Sequence, residues 1–148
     1  MPTLMDTYIE NREMVHPNHA NNLETTHGGT VLKWMDEVGA MSAMRFAGSD
    51  CVTARMDQVN FRRPIPVGDN ALLKSYVYET GETSVSVRVR AFRENPHTAD
   101  AELTTDSHLV FVAIDDDNEP TAVPELVVDS ERGRELRETA LDSSDRDR

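Results

Sequence analysis

The sequence predicts an α+β fold in which one long helix is held against an antiparallel sheet. Three observations carry this. Between Val31 and Ala47 apolar residues recur too densely for a two-residue period, as a mostly buried helix requires. Four stretches rich in β-branched and aromatic residues follow, each bounded by turn-forming segments. The connections among those four are too short for crossover helices, so neighbouring strands run antiparallel rather than in βαβ units.

In chain order, the segment "DTYIENREMV" reads as an initial extended stretch. The helix then carries Val31, Leu32, Trp34, Met35, Val38, Met41, Met44 and Phe46 as its apolar positions. The strands are "CVTARMDQVNF", "ALLKSYVYE", "TSVSVRVRAF" and "ELTTDSHLVFVAI", divided by "RPIPVGDN", "TGE" and "ENPHTAD". In the third of them Val85, Val87, Val89 and Ala91 alternate with Ser84, Ser86, Arg88 and Arg90, which predicts one buried face and one polar face. Beyond Pro124 the composition changes. The domain is expected to span residues 1–126, and residues 127–148 to form an acidic tail that is either disordered or a short helix around "ERGRELRETAL" with a frayed end.

A chain of 148 residues with 38% hydrophobic content suits one domain and holds no apolar run near the roughly 20 residues that span a bilayer. The amino terminus has neither the basic flank nor the apolar core of a secretion signal, so a cytoplasmic protein is expected. Cys51 stands alone, which excludes an intrachain disulfide and reads as a small apolar strand residue. The formal net charge is −12, from 27 acids against 15 bases, of which only Lys33 and Lys74 are lysines. Nucleic acid is therefore not an expected partner. The same balance resembles proteins of salt-loving cells, a habitat hypothesis that full folding and activity without salt would remove.

One stretch, "NNLETTHGGTVLKWMDE", gathers the candidate chemistry. Gly28 and Gly29 permit a tight turn and close ligand approach, and the first N–H groups of the helix lack intrahelical partners, which makes an oxyanion site. The alternative is a glycine-assisted helix entry capped by Thr30. Asp36 lies two turns further on, with Ala40 and Ala43 following on the same face. A carboxylate beside small residues suggests a narrow groove; the alternative places Asp36 and Glu37 on the exposed edge of the helix. His16, His19 and His27 show no spacing typical of a metal site, and no metal is expected.

These blocks, with "CVTARMDQVNFRRPIPVGD", "GETSVSV" and "HLVFVAIDDDNEPTAVPEL", together resemble the hotdog-fold acyl-CoA thioesterases of the acyl-CoA hydrolase branch, from about Tyr8 to Leu126. The resemblance implies a long central helix wrapped by an antiparallel sheet of five to six strands. It also implies dimers joined edge to edge, assembling further into hexamers or tetramers, with the sites at the dimer interface. By resemblance, Asn21 and Asp36 form the catalytic pair from opposite subunits, Thr53 lies near the attacking water, and Gly29 offers a backbone N–H to the thioester oxygen. His27, Gly28, Arg63, Thr83, Ser84 and Arg88 are the expected contacts to acyl-CoA, which is substrate; no cofactor is implied. Arg62 and Arg90 belong to the same candidate set of local phosphate contacts, which the acidic chain needs to hold a polyanion, unless these arginines balance neighbouring acids. Three positions depart from the family pattern. Glu24 stands where most relatives have glycine, so a different loop path is expected; His27 replaces an aromatic or apolar residue; Glu82 replaces an arginine.

The expected activity is hydrolysis of acyl-CoA to a free carboxylic acid and CoA, with Asp36 as base toward water or as nucleophile. The alternatives are a non-catalytic acyl-CoA-binding regulator, which has no use for Asp36, and a hotdog hydratase or dehydratase, which needs an aspartate–histidine pair that "WMDE" does not supply.

Overall fold

A computed structural model describes residues 1–146. A short strand, β1 (Ile9–Met14), precedes the long helix α1 (Gly28–Ala47). Four strands then follow in succession: β2 (Asp50–Phe61), β3 (Asn70–Thr80), β4 (Ser84–Glu94) and β5 (Ala101–Ile114). A second helix, α2 (Glu131–Arg146), ends the described chain. The strands form one sheet in the order β1-β3-β4-β5-β2, antiparallel at each pairing.

Helix α1 lies on one face of this sheet. Val31, Trp34, Met35, Val38 and Phe46 are buried against Val77, Val85, Val87, Val89, Leu109 and Phe111, the apolar alternation of the strands meeting the apolar stripe of the helix. Gly39 sets the closest approach: a Cβ there would stand 3.1 Å from Val89 Cγ2 and 3.3 Å from the Phe111 ring. The helix stops at Gly48, whose φ of 70° is the left-handed cap conformation that glycine adopts without a Cβ penalty.

The opposite face is covered too, and this corrects the expectation of a polar, solvent-facing side of β4. Arg88 is only 7% exposed. Helix α2 lies over that face: the Tyr76 hydroxyl donates to Leu136 O at 2.7 Å, Arg137 Nε donates to Tyr78 O at 3.2 Å, and Ala140 is fully buried. Leu4 joins Tyr76, Tyr78 and Ala140 in a second small core, and Thr3 bridges to Val127. The tail is thus the short helix that was one of the two expectations, and it docks on the sheet; the frayed end expected after it falls on residues 147–148, which lie outside the described residues.

The two sheet edges differ. β1 is six residues long and carries Glu10, Asn11, Arg12 and Glu13. β2 is twelve residues long, irregular at Thr53/Arg55 and Asp57/Asn60, and leaves Val52 47% and Phe61 52% exposed. A long edge with exposed apolar side chains is a template for strand pairing.

Candidate active site

The start of α1 is bare of side-chain caps. His27 occupies the N-cap position without a capping hydrogen bond, and Thr30 N–H and Val31 N–H both donate to His27 O. Thr30 is thus inside the first turn, not the cap. Among the described residues no acceptor takes the N–H of Gly28 or Gly29. A Cβ at Gly29 would meet nothing within 4 Å, whereas one at Gly28 would lie 3.4 Å from the Phe61 ring. Two N–H groups carrying the positive end of the helix dipole therefore face open space.

Beside this helix end lies a cleft of about 310 Å³ lined by Thr26, Gly28, Val31, Phe61, Pro64 and Ile65, with Arg62, Arg63 and Thr105 completing its wall. Beside Asp36, where small residues suggested a groove, Ala43 is fully buried in the core and Ala40 packs against it. Phe61 was not singled out from the sequence. Its signal was an aromatic residue ending a strand directly before "RRP". Arg62 lies 3.3 Å from Asp106 and Arg63 lies 3.6 Å from Glu102, so both cationic groups at the cleft already face an acid.

Asp36 sits two turns along α1, half-buried, and its Oδ1 accepts a hydrogen bond of 2.6 Å from the Thr53 hydroxyl on β2. The aspartate and threonine expected together are together. Charge-assisted O–H···O bonds of this length fix the carboxylate's orientation and leave Oδ2 available.

Asn21 is elsewhere. Its Oδ1 accepts from Leu23 N–H at 2.9 Å and from Thr25 N–H and Oγ1 at 3.3 Å, tying a loop closed by the Ala20–Thr26 bridge. No hydrogen bond joins it to Asp36 among the described residues. Glu24 in this loop has φ 61°, the left-handed region that favours glycine. Glutamate thus stands at a position whose backbone conformation suits glycine, the residue that the resemblance leads one to expect there. His27 braces the loop through its backbone, donating its N–H to His19 O at 2.9 Å, and the His19 ring stands edge-on to Trp34 of α1.

Within one chain the remaining expected contacts are apart from the start of α1, although the register sets Ser84 in line with Val112 and Val52, next to Thr53. Thr83 and Ser84 lie at the β3–β4 turn, where Thr83 O accepts the Ala113 N–H, whereas the cleft borders Thr105 at the other end of β5. Arg88 is on the sheet face turned away from α1, beneath α2, so it cannot touch a molecule bound at the start of α1. Arg90, on the same strand face, shares that position. Cys51 is half-buried, and burial, with Asp50 next to it, pushes its thiol up to about 11, as an inert strand residue requires. Among the described residues no group of three metal-binding side chains is found.

A family profile described as "Thioesterase superfamily" matches residues 23–99, the span that contains the turn, Asp36, Thr53 and every lining residue of the cleft except Thr105. The chain belongs to the thioesterase superfamily. An uncharacterized acyl-CoA thioester hydrolase of Bacillus subtilis, YkhA, is 37% identical over 86% of this chain and 74% of its own. The acyl-CoA hydrolase of Staphylococcus aureus, solved with butyryl coenzyme A, coenzyme A and coenzyme A disulfide, superposes with a TM-score of 0.88 at 30% identity, covering 98% of this chain and 88% of that one. The same enzyme has been solved with alanine replacing an asparagine, an aspartate and a threonine. A hexameric acyl-CoA thioesterase superposes with a TM-score of 0.87 at 35% identity over 99% of this chain and 95% of its own. Against longer mammalian thioesterases the superfamily match spans about a fifth of the relative's length. As the hotdog fold requires, this thioesterase-superfamily chain wraps five antiparallel strands on one long helix.

Proposed function

We propose that this chain is an acyl-CoA thioesterase that hydrolyses acyl-CoA to the free acid and CoA, with each site completed across a dimer. The observation that carries the reading is the Thr53–Asp36 hydrogen bond at an open strand edge, on the same helix as two unoccupied N–H groups. Asp36 and Gly28 are eight residues apart on α1, on the order of 12 Å along its axis, too far to serve one carbonyl from within one chain. Antiparallel pairing of β2 with its copy about a two-fold near Asp57 brings Thr53 of one subunit beside Phe61 of the other, hence Asp36 beside the partner's glycine turn and Asn21 loop. In the Staphylococcus aureus enzyme the three residues replaced by alanine have the separations of Asn21 to Asp36 and Asp36 to Thr53, which supports the same assignment here.

In this arrangement the thioester oxygen accepts hydrogen bonds from the N–H groups of Gly28 and Gly29. A water held by Asp36 Oδ2 and the Asn21 side chain gives its proton to the carboxylate as its oxygen bonds to the carbonyl carbon. Collapse of the tetrahedral intermediate breaks the carbon–sulfur bond, and the departing thiolate recovers the proton from Asp36. Thr53 keeps the carboxylate aimed throughout. Water is favoured over direct attack because the Thr53 bond turns one carboxylate oxygen away. The apolar wall of Val31, Phe61, Pro64 and Ile65 suits a thioester's pantetheine arm or acyl chain, and Arg63 stands where a phosphate can compete with Glu102. No metal or redox cofactor enters the scheme, and no helix among the described residues is long and apolar enough to cross a membrane, which fits action on soluble acyl-CoA in the cytoplasm.

The decisive experiment is thiol release from a panel of acyl-CoAs by wild type and Asp36→Asn. The variant should fold normally and lose on the order of a hundredfold or more in kcat; wild-type turnover in that variant sinks the mechanism.

A further inference from the structure

On the sheet face beneath α2 two arginines hold buried guanidinium nitrogens that make no hydrogen bond, although the Arg90 guanidinium also lies 5.5 Å from the centre of the Phe92 ring. Arg88 Nε and Nη1 are buried and make no hydrogen bond, and Arg90 Nε is in the same condition. Neither arginine is in an ion pair among the described residues. The polar groups around them are engaged elsewhere. Tyr76, in register with Arg88 on β3, donates to Leu136 O, and His108, in register on β5, has its Nε2 within 3.2 Å of Ala140 O and 2.9 Å of Ser143 Oγ. Lys74, in register with Arg90, lies 3.6 Å from Glu10. Asp106, the other register neighbour of Arg90, lies 3.3 Å from Arg62, and its Oδ1 accepts no hydrogen bond, so it does not serve either arginine. Burial, then the like charge of Arg88, pushes the Arg90 pKa below its ordinary value, and Arg132 of α2 adds a further positive charge over the Tyr8 ring.

Buried charged donors without acceptors are strongly unfavourable, and two like charges two residues apart on one strand face repel. Same-face neighbours on a strand stand roughly 7 Å apart, a span one anion can bridge by accepting from both forks. We propose that Arg88 and Arg90, covered by α2, form a binding site for a small inorganic anion of halide or phosphate type. The site is separate from the thioester chemistry, since it lies on the other face of the sheet from α1, and its role is to lock α2 to the sheet.

Thermal unfolding of the full chain in sodium chloride, sodium phosphate and sodium gluconate at matched ionic strength tests it. In chloride or phosphate the melting temperature should rise saturably above the gluconate value, by roughly 5 to 10 °C at a hundredfold excess over Kd. Saturation with chloride identifies a halide site and saturation with phosphate alone an oxyanion site. Arg88→Met and, as a second variant, Arg90→Gln should each lose the anion-specific rise. Identical melting in all three salts, or a full rise retained in both variants, overturns the proposal.

Discussion

Asp36, the base of the proposed mechanism, owes its geometry to a single hydroxyl on another element, 17 positions away in the sequence. That pairing was legible only through resemblance, because no periodicity relates a helix position to a strand position across a turn. The glycine turn was legible directly, since two successive glycines before an apolar helix leave few other uses. Glu24 was not. A glutamate gives no hint of φ 61°, and holding a side chain in the left-handed region costs roughly 1 kcal/mol. Glu24→Gly should therefore raise stability by about 1 kcal/mol, seen as a melting shift of roughly 2 to 4 °C, with turnover unchanged because Asn21 keeps the same three contacts.

At the scale of the element, the helix and four main strands followed from apolar spacing, since each buries a stripe of the right period. α2 was expected only as one of two alternatives, and its docking escaped that reasoning because its apolar face is thin, little beyond Leu136 and Leu141. What docks it is small and polar: Ala140, whose methyl group is too small to obstruct the approach, and backbone carbonyls of Leu136 and Ala140 serving Tyr76 and His108. Glutamate at Ala140 puts both bulk and charge into a fully closed contact. Ala140→Glu should release α2 and cost on the order of 3 kcal/mol, measured by denaturant unfolding, while α1 and the Thr53–Asp36 bond stay in place. If stability is unchanged, the helix is not held as described. The arginines of β4 belong to the same lesson. A clean alternation predicted which face they share, and only the covering helix decided that this face is closed to solvent.

At the scale of the whole molecule, no hydrogen bond joins Asn21 to Asp36 among the described residues, and the proposed site therefore draws on two chains. Mixing Asn21→Ala with Asp36→Ala subunits, each inactive alone, should restore a fraction of wild-type thiol release, because heterodimers rebuild one intact site. No recovery in verified heterodimers would place both residues' action within one chain. The open edge of β2 adds a consequence for how such an enzyme behaves in an assay tube. Under the proposed two-chain site, catalytic competence is a property of encounter as well as of folding. Specific activity should be constant at high protein concentration and fall on serial dilution below the dimer dissociation constant, recovering on reconcentration, even though each separated chain keeps its helix and sheet.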